Sequence, residues 1–226
     1  MTDIVPPELD GPGFGPVAGG APTGLVVLCH GVGSNGLDLI NLAPSWARAV
    51  PHALFRSPDG PEPYDSGPTG RQWFPLWNRT RAQHLLGVAA AAKTLGAFVV
   101  AELARLSLPA DAYVLVGFSQ GAMTVLHTGF THHTPPRAIL AYSGRMLDYG
   151  VLATPPTARV LLVHGTEDQA VPVESSREAA RKITDAGGKV ELLICPGVGH
   201  GIDQAGVAAG FKVLREVFAT PSVTAP

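Results

Sequence analysis

Six short apolar runs recur along the chain: LVVLCH (25 to 30), HALFRS (52 to 57), YVLVGF (113 to 118), AILAYS (138 to 143), VLLVHG (160 to 165) and VELLIC (190 to 195). Several are apolar at successive positions, the pattern of a strand covered on both faces. Between them lie LDLINLAPSWARAV, QHLLGVAAAAKTLGAFVVAELARL, QGAMTVLHTGF, ESSREAARKITDAG and QAGVAAGFKVLREVF, whose apolar residues recur at helical spacing. Strands alternating with helices imply parallel pairing through helical crossovers, so the expected fold is α/β: a mostly parallel, doubly wound central sheet flanked by helices. The first 20 residues, rich in Pro and Gly, read as a loose lead-in with one edge strand near Phe14 to Ala18. At 226 residues and 46% hydrophobic content, the chain can bury one substantial core. With no repeat or interdomain linker in view, the expectation is a single domain over residues 1–226.

Composition narrows the partners. A formal charge of -2, with 15% charged residues and no Lys/Arg block, leaves no basic footprint for nucleic acid or an acidic membrane. The expected partner is a small or uncharged molecule. Cys29 and Cys195 each sit inside an apolar run, which favours buried thiols in a reducing compartment over a disulfide framework. The N-terminal MTDIVPPELDGPG lacks the basic and apolar regions of a secretory signal, and no apolar run reaches membrane-spanning length, so stable membrane insertion is not expected and the location is read as cytoplasmic. The sequence is compatible with a homodimer and does not choose between it and a monomer.

In a doubly wound sheet, ligands bind beyond the carboxyl ends of the strands, so the loops after strands are where chemistry belongs. LVGFSQGAM (115 to 123) places Ser119 between Gly117 and Gly121, after a strand and before a helical stretch. A serine hydroxyl is a poor nucleophile without a base in reach and a third group to orient that base. A Gly-x-Ser-x-Gly turn lifts the serine above the sheet, and partners then follow in the order acid, histidine. Of eight histidines, His200 in PGVGHGID is the one after Ser119 that follows a strand and comes late enough. His30 and His164, each near a strand end, read as braces for loops. His52, His84, His127, His132 and His133 read as surface or packing residues. HGTEDQAVP, ending the strand VLLVHG, offers both Glu167 and Asp168 as the acid. Asp185 and Asp203 read as solvated charges, and Asp148 lies in a loop with no assignment.

Catalysis at such a serine also needs two N–H donors aimed at the oxygen that gains charge. Gln120, at the start of a helix, supplies one, and Val32 in CHGVGSNG the other. The same loop, Gly31 to Gly36, matches G-x-G-x-x-G with Asp59 somewhat over twenty residues on, a dinucleotide-binding pattern. That reading leaves Ser119 and His200 without purpose, and Pro44 interrupts the stretch after Gly36. No clustered Cys/His spacing suggests a metal; His132-His133 is an isolated pair. The longest loop runs from Asp59 to Thr80, and its Trp73, Phe74 and Trp77 suggest a packed wall.

HGVGSNG (30 to 36), RQWF (71 to 74), GFSQGA (117 to 122), YSG (142 to 144), HGTEDQAVP (164 to 172) and GHGID (199 to 203) together resemble the phospholipase/carboxylesterase family of α/β-hydrolases, which includes the acyl-protein thioesterases. The resemblance covers most of the chain, in family order. It implies Ser119 as nucleophile, Asp168 in preference to Glu167 as acid, His200 as base, and Val32 and Gln120 as oxyanion donors, with no metal or organic cofactor. It also implies that Trp73, Phe74, Leu76, Trp77 and Val171 contact substrate, the alternative being that the aromatics only pin the long loop. Pro75 stands where the thioesterase branch has an acidic residue, and RQWF and GHGID are more similar to bacterial carboxylesterases. No large lid domain is inserted. The expected function is therefore a serine carboxylesterase acting on small to medium acyl esters. Thioester or lysophospholipid hydrolysis is the nearest rival, and a non-catalytic hydrolase-fold or dinucleotide-binding protein is the rival from another class.

Overall fold

The computed structural model describes residues 8–147 and 157–219; Asp148 and the first seven residues of the lead-in lie outside them. Among the described residues the strands are β1 (Gly13–Phe14), β2 (Gly24–Cys29), β3 (Ala53–Arg56), β4 (Glu62–Pro63), β5 (Arg71–Gln72), β6 (Tyr113–Phe118), β7 (Ala138–Tyr142), β8 (Arg159–Gly165) and β9 (Val190–Cys195). The α-helices are α1 (Gly36–Leu39), α2 (Ala43–Trp46), α3 (Arg81–Arg105), α4 (Gln120–Thr131), α5 (Glu174–Asp185) and α6 (Gln204–Ala219). A seven-stranded sheet has the order β1-β3-β2-β6-β7-β8-β9, while β4 and β5 form a separate antiparallel pair. Only β1, antiparallel on β3, breaks the parallel pattern of the large sheet.

Successive side chains of a strand face opposite ways, and both faces are buried here. Leu25, Val27, Tyr113, Leu115, Ile139 and Val160 pack into one core, with α3, α4 and α5 over it. Val26, Leu28, Val114, Val116, Leu140 and Leu161 pack into a second, with α2 and α6. Continuous apolar runs thus become two cores, one on each side of the sheet.

Two sequence expectations change. The stretch 37–50 is not one helix: α1 and α2 are separated by a 3-10 turn at Ile40–Leu42. Pro44 falls in the first turn of α2, where its missing N–H has no partner to lose, whereas inside a continuous helix it would break the ladder. The second concerns α3, which is long and apolar enough to cross a membrane by length and composition alone. Lys93 and Glu102 interrupt its sequence, so no uninterrupted apolar run is visible. In the fold, Val88, Leu95, Val99 and Leu103 spend that apolarity on the core.

The layout of the crossovers positions the site. From β2 the chain goes outward to β3, then returns through α3 to β6 on the other side of β2. This reversal between β2 and β6 is the switch point where a crevice opens at the carboxyl ends of the strands.

Candidate active site

Ser119 follows β6 directly and has φ 53° and ψ -114°, a left-handed conformation rare for a side-chain-bearing residue. Such strain persists only where the surroundings impose it. Ser119 N–H donates to Tyr142 O (2.9 Å) and Met123 N–H to Ser119 O (3.2 Å), fixing the turn from both sides. The flanking glycines explain the close packing: a Cβ at Gly121 would collide with the Cys29 carbonyl of β2, and one at Gly117 with the Gly121 carbonyl. The turn therefore sits hard against the neighbouring strand, with the serine at its apex.

His200, in the loop between β9 and α6, places Nε2 3.0 Å from Ser119 Oγ and Nδ1 2.7 Å from Asp168 Oδ2. Its ring packs against Phe118, with centroids 4.9 Å apart. Asp168 comes from the loop after β8, and its side chain is fully buried. Its Oδ1 accepts from Ala170 N–H (2.9 Å) and Val171 N–H (2.8 Å). Burial raises its pKa, but the His200 hydrogen bond, these two N–H groups and the attraction of His200 outweigh burial and hold it below the ordinary carboxyl value. Glu167, the other acid of that loop, is exposed.

His164 is fully buried beside this carboxylate, its Nε2 3.1 Å from Asp168 Oδ2. A carbonyl oxygen only accepts, so Nε2 must carry a proton to bond Val171 O (2.9 Å), while Nδ1 pairs with Ser176 Oγ (2.6 Å). The ring holds the turn that presents Asp168.

Parallel pairing of β2 with β6 sets Cys29 opposite Gly117 and brings the loop after β2 against the serine turn. That loop, from His30 to Ser34, is clamped by β5. Gly33 N–H donates to Arg71 O (2.8 Å), and Arg71 N–H to Ser34 O (2.7 Å). His30 accepts at Nε2 from Gly60 N–H (2.8 Å), which leaves Nδ1 to donate to Gly31 O (2.7 Å); burial lowers its pKa, keeping this neutral form. Gln120 N–H lies in the first turn of α4, where no intrahelical acceptor exists, and the helix dipole favours negative charge there. Val32 lines the same cleft as Ser119 and His200. Asp59, the acid of the dinucleotide pattern, instead accepts from Gly36 N–H (2.7 Å) at a helix of only four residues.

A family profile described as Phospholipase/Carboxylesterase matches residues 18–217. The chain belongs to this family. It is 31% identical over 191 residues to esterase YpfH of Escherichia coli, covering 84% of this chain and 82% of that protein. To acyl-protein thioesterase 1 of Schizosaccharomyces pombe it is 26% identical over 213 residues, covering 89% and 94% of the two chains. Among solved structures, esterase PE8 is similar at 39% identity and a TM-score of 0.86, covering 93% of this chain and 99% of that one. The fold is the α/β-hydrolase fold of the phospholipase/carboxylesterase family.

The cleft of this family member, about 390 Å³, is lined by Val32, Leu76, Trp77, Arg145 and Val171 around Ser119 and His200. Trp73 and Phe74, expected to contact substrate, are both 1% exposed and absent from that lining. The Gln120 side chain holds them: its Oε1 accepts from Trp73 N–H (2.9 Å) and its Nε2 donates to Phe74 O (2.5 Å). Trp73 Nε1 also donates to His30 O (2.9 Å). These two aromatics pin the long loop beneath the cleft, while Leu76 and Trp77 reach its wall. Asp203, read as a solvated charge, accepts from Gly206 N–H (2.8 Å) at the start of α6. A second concavity, about 500 Å³, lies among Arg137, Arg159, Lys189 and Glu216 at the amino ends of β8 and β9, away from the serine.

Proposed function

We propose that the chain is a serine carboxylesterase working through an acyl-enzyme, with Ser119, His200 and Asp168 as its catalytic residues. The observation that carries this reading is the unbroken relay Ser119 Oγ to His200 Nε2 (3.0 Å) and His200 Nδ1 to Asp168 Oδ2 (2.7 Å). In it Asp168 accepts from Nδ1–H and so leaves Nε2 unprotonated and able to take the serine proton. Ser119 Oγ attacks the ester carbonyl as its proton passes to Nε2. The carbonyl oxygen becomes an oxyanion held by the Val32 and Gln120 N–H groups. The tetrahedral intermediate collapses, the ester C–O bond breaks, and the imidazolium returns the proton to the departing alkoxide. Water, deprotonated by His200, then attacks the acyl-enzyme and releases the acid.

The family match and the similarity to esterase YpfH support ester hydrolysis, and a cleft of about 390 Å³ suits small to medium acyl groups. Thioester hydrolysis is the second reading, favoured by the likeness to the Schizosaccharomyces pombe acyl-protein thioesterase, and the same machinery would serve it. A cytoplasmic location is part of the proposal, supported by the unpaired, buried Cys29 and Cys195. The test is p-nitrophenyl ester hydrolysis over increasing acyl length, beside an acyl-thioester, by wild type and Ser119→Ala. Turnover is expected to fall by about 10⁴-fold or more in the variant. Hydrolysis by pure Ser119→Ala at the wild-type rate would remove the nucleophile assignment.

A further inference from the structure

Arg145 shares the cleft with Ser119 and His200, and nothing in the hydrolytic relay uses it. Its Nε is buried and has no hydrogen-bond partner, and the side chain makes no ion pair among the described residues. Elsewhere the chain pairs its partly buried arginines with carboxylates: Arg56 with Asp10, and Arg159 with Glu191. A buried guanidinium N–H without an acceptor is costly, so a cation that has no carboxylate partner and lies beside the reacting serine calls for a functional reason.

We propose that Arg145 is the specificity-determining cation of the cleft and that the substrate carries an oxyanionic group, a carboxylate or phosphate, near the scissile ester. This rests on the esterase reading and narrows its substrate class. The position of Arg145 is built. The turn after β7 begins with Ser143 at φ 49°, whose N–H donates to Val163 O (2.8 Å) and whose hydroxyl donates to Gly201 O (3.4 Å) beside His200. Gly144 passes too close to Ala122 of α4 for a side chain, and Leu147 is buried in the core. Arg145 therefore leaves a backbone pinned on both sides, tied to the loop that carries the base.

The rest of the cleft sharpens its charge. Leu76, Trp77, Met123 and Val171 are apolar, and low polarity strengthens a charged contact. Among the described residues, the one acidic side chain of the lining, Asp38, is exposed and accepts from Ser34 Oγ (2.9 Å). A guanidinium takes a carboxylate or phosphate with two parallel hydrogen bonds from its forked N–H groups. An ammonium at the same place is a point charge and cannot form that fork.

The experiment measures kcat/KM for matched ester pairs that differ in one anionic group. 4-Nitrophenyl hemiglutarate against 4-nitrophenyl valerate places the charge on the acyl side. 4-Carboxyphenyl butyrate against phenyl butyrate places it on the alcohol side, and 1-acylglycerol 3-phosphate against 1-acylglycerol tests a phosphate. In at least one pair, wild type is expected to prefer the anionic ester about tenfold or more, chiefly through KM. Arg145→Gln abolishes that preference and Arg145→Lys keeps part of it. The ratio within a pair cancels any general loss in a variant. Wild-type ratios at or below one in every pair, or a preference that survives Arg145→Gln, would overturn the proposal. Ester hydrolysis by wild type and not by Ser119→Ala leaves the esterase reading standing whichever way the ratios fall, so the two failures are distinguishable.

Discussion

The Asp168 carboxylate divides its lone pairs between two tasks. Oδ1 takes the N–H groups of Ala170 and Val171, which fixes its own loop, and Oδ2 takes His200 Nδ1–H, which fixes the base. Asp168→Asn keeps the size but offers an amide to Nδ1 and favours the wrong tautomer; turnover on a p-nitrophenyl ester is expected to fall by about 10⁴-fold. Steady-state kinetics of Asp168→Asn beside Glu167→Gln checks this, and a mild effect of the first with a large effect of the second would reverse the assignment. The carboxylate also bears on stability. Its folded pKa lies below the unfolded value of about 3.9. Its contribution is therefore present above that value and lost as pH falls through the folded pKa. Melting curves of wild type and Asp168→Asn across that acid window are expected to show wild type losing more stability than the variant. Spacing alone left Glu167 and Asp168 open, because the choice depends on which side chain the turn sends inward. Here Oδ1 of Asp168 caps the turn, and Glu167 is left at the surface.

Among the elements, the stretch Trp73–Phe74 after β5 has its backbone tied down by one amide. Gln120 satisfies a buried donor on Trp73 and a buried acceptor on Phe74, so the residue whose N–H is the proposed oxyanion donor also fastens the floor of the cleft. Gln120→Ala leaves both groups unpaired; a loss of about 2 kcal/mol or more is expected in urea unfolding, with faster amide exchange confined to residues near 71–77. An unchanged exchange pattern there would mean that the loop is held by other contacts. The motif RQWF was legible as a feature of the site, but not what each residue does in it. Arg71 clamps the loop after β2 through its backbone, which no side-chain pattern reports, and Trp73 and Phe74 turn inward because the Gln120 amide, distant in sequence, takes their backbone. By contrast, the meeting of Ser119 with His200 was expected from the sequence, since the elbow has a local signature and the fold dictates chain order.

Over the whole molecule, a single sheet carries every part of the proposed site: the loop of Val32 after β2, Ser119 after β6, Asp168 after β8 and His200 after β9. The strand runs were legible because burial on both faces demands unbroken apolar sequence. The split of residues 37–50 into two short helices was not, because helical spacing persists across the 3-10 turn at Ile40–Leu42. With both cores sharing that sheet, we propose that the chain unfolds as one domain: calorimetry is expected to give one transition with equal calorimetric and van't Hoff enthalpies, and two resolved transitions would contradict it. The central claim is that Ser119 is the nucleophile raised by this architecture. Its most direct test is intact-protein and peptide mass spectrometry after treatment with a phosphonofluoridate, which reacts with an activated serine. One adduct per chain, on the Ser119 peptide and absent from Ser119→Ala and slowed in His200→Ala, is the expected result. Stoichiometric labelling at another residue, or labelling that persists in Ser119→Ala, would contradict it.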